Sequence, residues 1–113
     1  MSGFVIFAER FKEMSSFYAR LMNLEISGIQ NPMYLSDGIN QVQLHAIPKE
    51  YQTDLSEAAT TRFDFPIKPI FDVPLERINE ILSECVIVKS FEFDGKLHSD
   101  VADPDGNIIC IRS

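Results

Sequence analysis

The sequence has 113 residues, 45% hydrophobic and 24% charged, the proportions of a globular domain with a real core. With 17 acidic and 10 basic side chains its formal charge is −7, and no basic stripe of the kind a nucleic-acid partner requires is visible along it. Its longest apolar runs, four to six residues, fall far short of the roughly 20 that span a bilayer. The opening Met1 to Phe7 has neither the basic start nor the apolar length of a signal peptide, and two cysteines, Cys85 and Cys110, make no disulfide framework. A single acidic, cytoplasmic domain with no membrane partner is expected.

Phe4-Val5-Ile6-Phe7 is rich in β-formers and reads as a buried strand. The period then changes: Phe11, Met14, Phe17, Tyr18, Leu21 and Met22 fall on one stripe of an amphipathic helix, with Lys12, Glu13, Ser15, Ser16 and Arg20 opposite. Asn23 is the stop. Leu24-Glu25-Ile26 opens extended structure and Asn31-Pro32 is a turn signal. Met33-Tyr34-Leu35 is a strand leading into the Asp37-Gly38 turn, which tolerates positive φ. The return strand, Gln41 to Ile47, alternates Val42, Leu44 and Ala46 with Gln43 and His45, so one face is covered and the other is polar. Residues 1–47 thus form a first βαβββ module.

Residues 48–62 are a polar linker in which Asp54-x-x-Glu57 has the spacing to cap one helical turn. Residues 63–113 form a second βαβββ module. Phe65 to Asp72 is a strand near an edge, given its two prolines, and Pro74 suits the first position of a helix. The helix stripe Leu75, Ile78, Ile81, Leu82, Cys85 and Val86 reproduces the six stripe positions of the first helix at a constant offset of 64 residues. This is an internal repeat. Strands follow at Val86 to Phe93, Leu97 to Ala102 and Ile108 to Arg112, with turns at Asp94-Gly95 and Asp103-Pro104-Asp105-Gly106-Asn107. The fold class is therefore α+β: paired βαβββ modules forming curved sheets around a cleft, formed within one chain or across a dimer. Concave, partly polar clefts bind small ligands. The hairpins at the Asp-Gly turns argue against a ferredoxin-like βαββαβ alternative.

Three features carry a resemblance: Phe17-Tyr18 with Leu21 and Leu24-Glu25-Ile26 after it, the Asp103-Pro104-Asp105-Gly106-Asn107 turn before the last strand, and the sequence closing a few residues later. Across essentially its whole length the sequence resembles the vicinal oxygen chelate superfamily: glyoxalase I, bleomycin-resistance proteins, fosfomycin-modifying enzymes and extradiol dioxygenases. The resemblance implies a homodimer. In that family a divalent metal is held by four side chains, usually His, Gln or Glu, from the first and last strands of each module. Carried onto this sequence those positions fall at Gly3, Gln43, Lys68 and Cys110, with His45 two residues beyond Gln43 on the same face. Glycine has no donor atom and a protonated lysine has no free lone pair. No divalent site can be built from this set, and a one-residue slip offers only Ser2, Phe4, Ile67, Pro69, Ile109 and Ile111.

The expected ligand-binding residues are Gln43, His45, Lys68 and Cys110, with no metal and no cofactor. The alternative for His45 is a strand histidine satisfied by backbone or water. Lys68 has two readings: an anchor that pairs with an anionic ligand or with a carboxylate such as Asp72, or a snorkelling edge lysine. Cys110 is read as a small buried hydrophobe; beside Lys68 it would instead have a lowered pKa. His98 is read as a surface residue and Cys85 as core. Phe7 and Tyr34 are candidates to line the cleft, and the acidic balance favours cationic ligands where it is concentrated there. The expected function is reversible binding of a small organic molecule without catalysis. The alternatives are a metal-dependent lyase or isomerase with a rearranged ligand set that includes His45 and Gln43, and an interaction module with a vestigial cleft.

Overall fold

Alternation of period two organises the first strand. In β1 (Ser2–Ala8), Phe4, Ile6 and Ala8 point one way while Val5 and Phe7 point the other and stay exposed. The computed structural model describes residues 2–48 and 68–113 and divides the chain into two compact units, Met1–Asp54 and Leu55–Ser113. The cap spacing at Asp54 and Glu57, most of the linker and residues 65–67 of the expected strand lie outside the described residues.

In the first unit, α1 (Phe11–Leu21) buries Met14, Tyr18, Ala19 and Leu21, and Phe4 meets Tyr18 edge-on with 6.4 Å between ring centroids. The helix stops where Asn23 takes a φ of 58° and the Leu24 amide donates back to the Ala19 carbonyl at 2.8 Å, a left-handed C-terminal cap. The extended structure expected at Leu24–Ile26 does not join a sheet. That stretch runs into Ser27, Gly28, Gln30 and Asn31, which offer no alternating apolar face. β2 (Met33–Ser36) and β3 (Asn40–Ala46) form the hairpin. The Asp37 carboxylate accepts the Ile39 and Asn40 amides at 2.8 and 2.6 Å while Gly38 takes a φ of 88°. The sheet order is β1-β3-β2, with β1 parallel and β2 antiparallel to β3. Val42, Leu44, Met33 and Leu35 are buried on the α1 side.

The second unit has the full set: β4 (Ile70–Asp72), α2 (Leu75–Ser83), β5 (Val86–Phe93), β6 (Lys96–Ala102) and β7 (Ile108–Arg112). Its order β4-β7-β6-β5 repeats the first sheet and adds an edge strand, again with the only parallel pair of that sheet at β4 and β7. Phe71, Val101, Ile109 and Ile111 make its buried apolar face, and α2 buries Ile78 and Ile81. The helix stripe is narrower than expected. Leu75 is 75% exposed, Cys85 is half-buried rather than core, and Val86 belongs to the exposed strand β5. Pro74 is the residue before the helix, not its first. Asp94 and Gly95 take φ values of 53° and 75°, the paired positive angles of a two-residue hairpin turn. In the Asp103–Asn107 turn the Asp103 carboxylate accepts the Asp105 and Asn107 amides at 3.0 and 2.8 Å and the Asn107 side chain at 2.8 Å. These bonds, with the Gly106 amide donating to the Asp103 carbonyl at 2.8 Å, hold the turn closed.

Candidate functional site

Each sheet has one face turned away from its helix, and the register between strands decides which side chains share it. In the first unit Val5, Gln43 and Tyr34 lie side by side across β1, β3 and β2. In the second, Ile70, Cys110 and Asp100 do so across β4, β7 and β6. These two rows hold the same place in their sheets. Two residues earlier on the first strand stand Gly3 and Lys68; two residues later stand the paired Phe7–His45 and the paired Asp72–Arg112. The four positions singled out in the sequence are therefore two equivalent pairs, Gly3 with Gln43 and Lys68 with Cys110, each within its own unit.

In the first unit Gly3, Phe4, Val5, Gln41 and Gln43 line an open pocket of about 300 Å³. Gln43 and His45 are half-buried on the face that carries exposed Phe7 and Tyr34, and the Phe7 and His45 rings lie 5.5 Å apart. Gly3 is a glycine for a steric reason. A Cβ there would sit 2.8 Å from the Gln41 carbonyl oxygen, closer than any side chain tolerates.

In the second unit the same face is charged. The Lys68 ammonium donates to the Asp100 carboxylate at 2.7 Å, with side-chain exposures of 30% and 4%. Lys89 reaches the same oxygen at 3.9 Å and lies 5.7 Å from the centre of the Phe91 ring. His98 stacks on Phe91 at 5.1 Å with 13° between planes, meets Phe93 edge-on at 6.0 Å, and approaches the Cys110 sulfur through Nδ1 at 3.8 Å. Arg112 closes two hydrogen bonds onto Asp72 at 2.6 and 2.8 Å, and these hold the Asp72 carboxyl below the usual range. Burial first, and the Asp100 charge second, push the Cys110 thiol up. At neutral pH it is a protonated, buried thiol.

Two expectations are corrected. Lys68 pairs with Asp100 rather than Asp72, because Asp72 is taken by the bidentate guanidinium beside it. His98 is a half-buried residue packed on Phe91, not a surface one. The reading of Cys110 as a buried hydrophobe agrees with its 6% exposure, and the thiol is shifted up rather than down beside Lys68. Asp100, Lys89, Phe91 and Phe93 escaped the sequence reading. The available signal was the polar alternation Lys96, His98, Asp100 on β6, which shares parity with neither Leu97 nor Val101.

The donor set does not suit a divalent ion. Position 3 has no donor and no room for one, and position 68 presents an ammonium already bonded to the nearest carboxylate. Among the described residues no three His, Cys, Asp or Glu side chains converge as metal ligands.

No protein-family model matches the sequence, and no curated protein matches it significantly. Solved structures do match along the whole chain. A glyoxalase/bleomycin resistance protein/dioxygenase family enzyme from Burkholderia phytofirmans PsJN superposes with a TM-score of 0.65 at 21% identity, covering 98% of this chain and 95% of its own. A bleomycin-binding protein complexed with bleomycin gives 0.62 at 15%, covering 100% and 96%. Lactoylglutathione lyase from Agrobacterium tumefaciens gives 0.59 at 13%, covering 99% and 91%. The chain has the vicinal oxygen chelate fold, with two small sheets and two helices among its described residues. No helix of the described residues is long and apolar enough to cross a membrane.

Proposed function

We propose that this chain binds a small organic molecule reversibly, without a divalent ion and without a covalent step. The observation that carries the reading is the composition of the two sheet faces turned from the helices. They group part-exposed aromatic and polar side chains on one face each, Phe7, Tyr34, Gln43 and His45 on one and Phe91, His98 and Lys68 on the other. The pocket beside Gly3 and Gln43 adds room for ligand atoms close to the backbone. Similarity in fold to a protein solved with bleomycin supports the binding class. The pairing of Lys68 with Asp100 supports a site without metal, since the ammonium supplies the positive charge that the carboxylate requires.

The protein is proposed to act in the cytoplasm as a homodimer. Edge strand β5 supports the second point by exposing Val86, Ile87 and Val88 beside a backbone edge that no strand pairs among the described residues. Sedimentation velocity checks this: a species of twice the chain mass is expected, and a monomer at all concentrations contradicts it.

The binding reading is tested by native mass spectrometry of the purified protein before and after chelator treatment. The expected result is an organic adduct that persists in chelator and leaves on denaturation. Loss of the adduct with the chelator, together with turnover of a thiol-adduct or diol substrate, would instead support a metal-dependent lyase or isomerase. A protein that takes up no organic molecule from extract or from a compound library refutes the reading.

A further inference from the structure

The whole chain is acidic, yet the outward face of the second sheet is basic. Lys68, Lys89, Lys96 and Arg112 share this face by strand register with only two carboxylates, Asp72 and Asp100, so four cations oppose two anions among the described residues of this unit. Both carboxylates already have a closer partner than Lys89: Asp72 holds Arg112 and Asp100 holds Lys68. Lys89, 3.9 Å from Asp100 and 61% exposed, therefore retains capacity for a further anion. Around it stand the flat surfaces of the Phe91–His98 stack and the exposed ring of Phe93. Glu92, the carboxylate within β5, pairs with Leu97 and so belongs to the opposite face.

Resting on the binding function above, we propose that the ligand of this face is an organic anion with a flat, unsaturated body. Its body lies on Phe91 and Phe93, and its carboxylate or equivalent head is held by Lys89, whose ammonium lies 5.7 Å from the Phe91 ring centre. Aromatic residues supply area and orientation, while a local excess of cation draws and fixes the anionic head against a protein whose overall charge repels it. The expectation from net charge alone, a preference for cationic ligands, is reversed at this face.

The probes are 1-naphthoate, neutral 1-naphthamide and cationic 1-naphthylmethylamine, titrated into the full chain by calorimetry with amide chemical shifts recorded alongside. Naphthoate is expected to bind about tenfold more tightly than either analogue, with a loss on raising salt. Lys89→Gln is expected to weaken it about three- to fivefold and to reduce its salt dependence, and Lys96→Gln, four residues further along the register, to weaken it less. Lys12→Gln, on the exposed side of α1, leaves it unchanged. Shifts should concentrate on β5 and β6. Equal or tighter binding of the amine or amide overturns the anion assignment and leaves the general binding function standing. Naphthoate binding that ignores both lysine variants, or shifts confined elsewhere because a second copy covers β5, overturns it as well. Silence from all three probes at 10 mM removes the aromatic-anion class, and only the adduct and library experiment then decides whether the protein binds small molecules at all.

Discussion

The two units carry the same plan with opposite chemistry on corresponding positions. Where the first sheet pairs Phe7 with His45, ring against ring at 5.5 Å, the second pairs Asp72 with Arg112 through two hydrogen bonds. Where the first has Gly3 and an exposed Tyr34, the second has Lys68 bonded to a buried Asp100. The backbone repeat is therefore a scaffold indifferent to polarity on its outward face, and duplication left each copy free to specialise. The first is neutral and pocketed; the second carries two ion pairs and an excess of cations.

This contrast can be broken most severely at Lys68. Lys68→Met strands the Asp100 carboxylate, 4% exposed, and is expected to cost about 3 kcal/mol in chemical denaturation, with Lys89 at 3.9 Å compensating only in part. The double change with Asp100→Leu should restore most of that loss. Tyr34→Leu, at the corresponding place in the first unit, should cost less than about 0.5 kcal/mol because Tyr34 is exposed. Equal costs would mean that the two faces are not specialised as described. Gly3→Ala comes next, at about 2 kcal/mol by the same measurement, since the new methyl meets the Gln41 carbonyl at 2.8 Å. A neutral result would remove the steric account of position 3.

Ser15 sharpens the comparison from the helix side. Its hydroxyl is fully buried and has no hydrogen-bond partner among the described residues, so Ser15→Ala should raise stability by about 1 kcal/mol. The smallest effect concerns acid. Arg112 lowers the Asp72 pKa, so this pair stabilises the fold at neutral pH and above. Its contribution is lost as pH falls below the ordinary aspartate value of 3.8 and through the lowered one. Asp72→Asn should remove that part of the acid limb of a stability–pH profile, by well under about 1 kcal/mol because the pair is exposed. Phe7→Leu, its counterpart, should leave the acid limb unchanged.

Both helices, the three Asp-Gly turns and the parity that sets Gln43 and His45 opposite Val42 and Leu44 were legible in the sequence, because each depends on neighbours within a few residues. The offset of 64 residues exposed the repeat for the same reason: α1 and α2 begin at Phe11 and Leu75. The partner of Lys68 was not legible. Asp100 lies 32 residues away, and only the register of β6 on β7, and β7 on β4, brings the two to one face. Asp72 is nearer in sequence, but its place beside Arg112 settles its bond first. Leu24–Ile26 misled because three residues resemble a strand start, whereas a strand needs a neighbouring edge and an alternating face. The corresponding β5, of eight residues, has the neighbouring edge, pairing with β6 from Val86 to Phe93.

The central claim is that, among the positions singled out as metal-ligand places, Gly3 offers no donor atom and Lys68 offers an ammonium bonded to Asp100. Titration of the purified protein with Mn²⁺, Fe²⁺, Ni²⁺ and Zn²⁺, with the bound metal counted after gel filtration and the melting temperature followed in parallel, tests it most directly. The account predicts far less than one equivalent retained for every ion and no rise in melting temperature. One tightly held equivalent per chain, lost on mutation of Gln43 or His45, would contradict it.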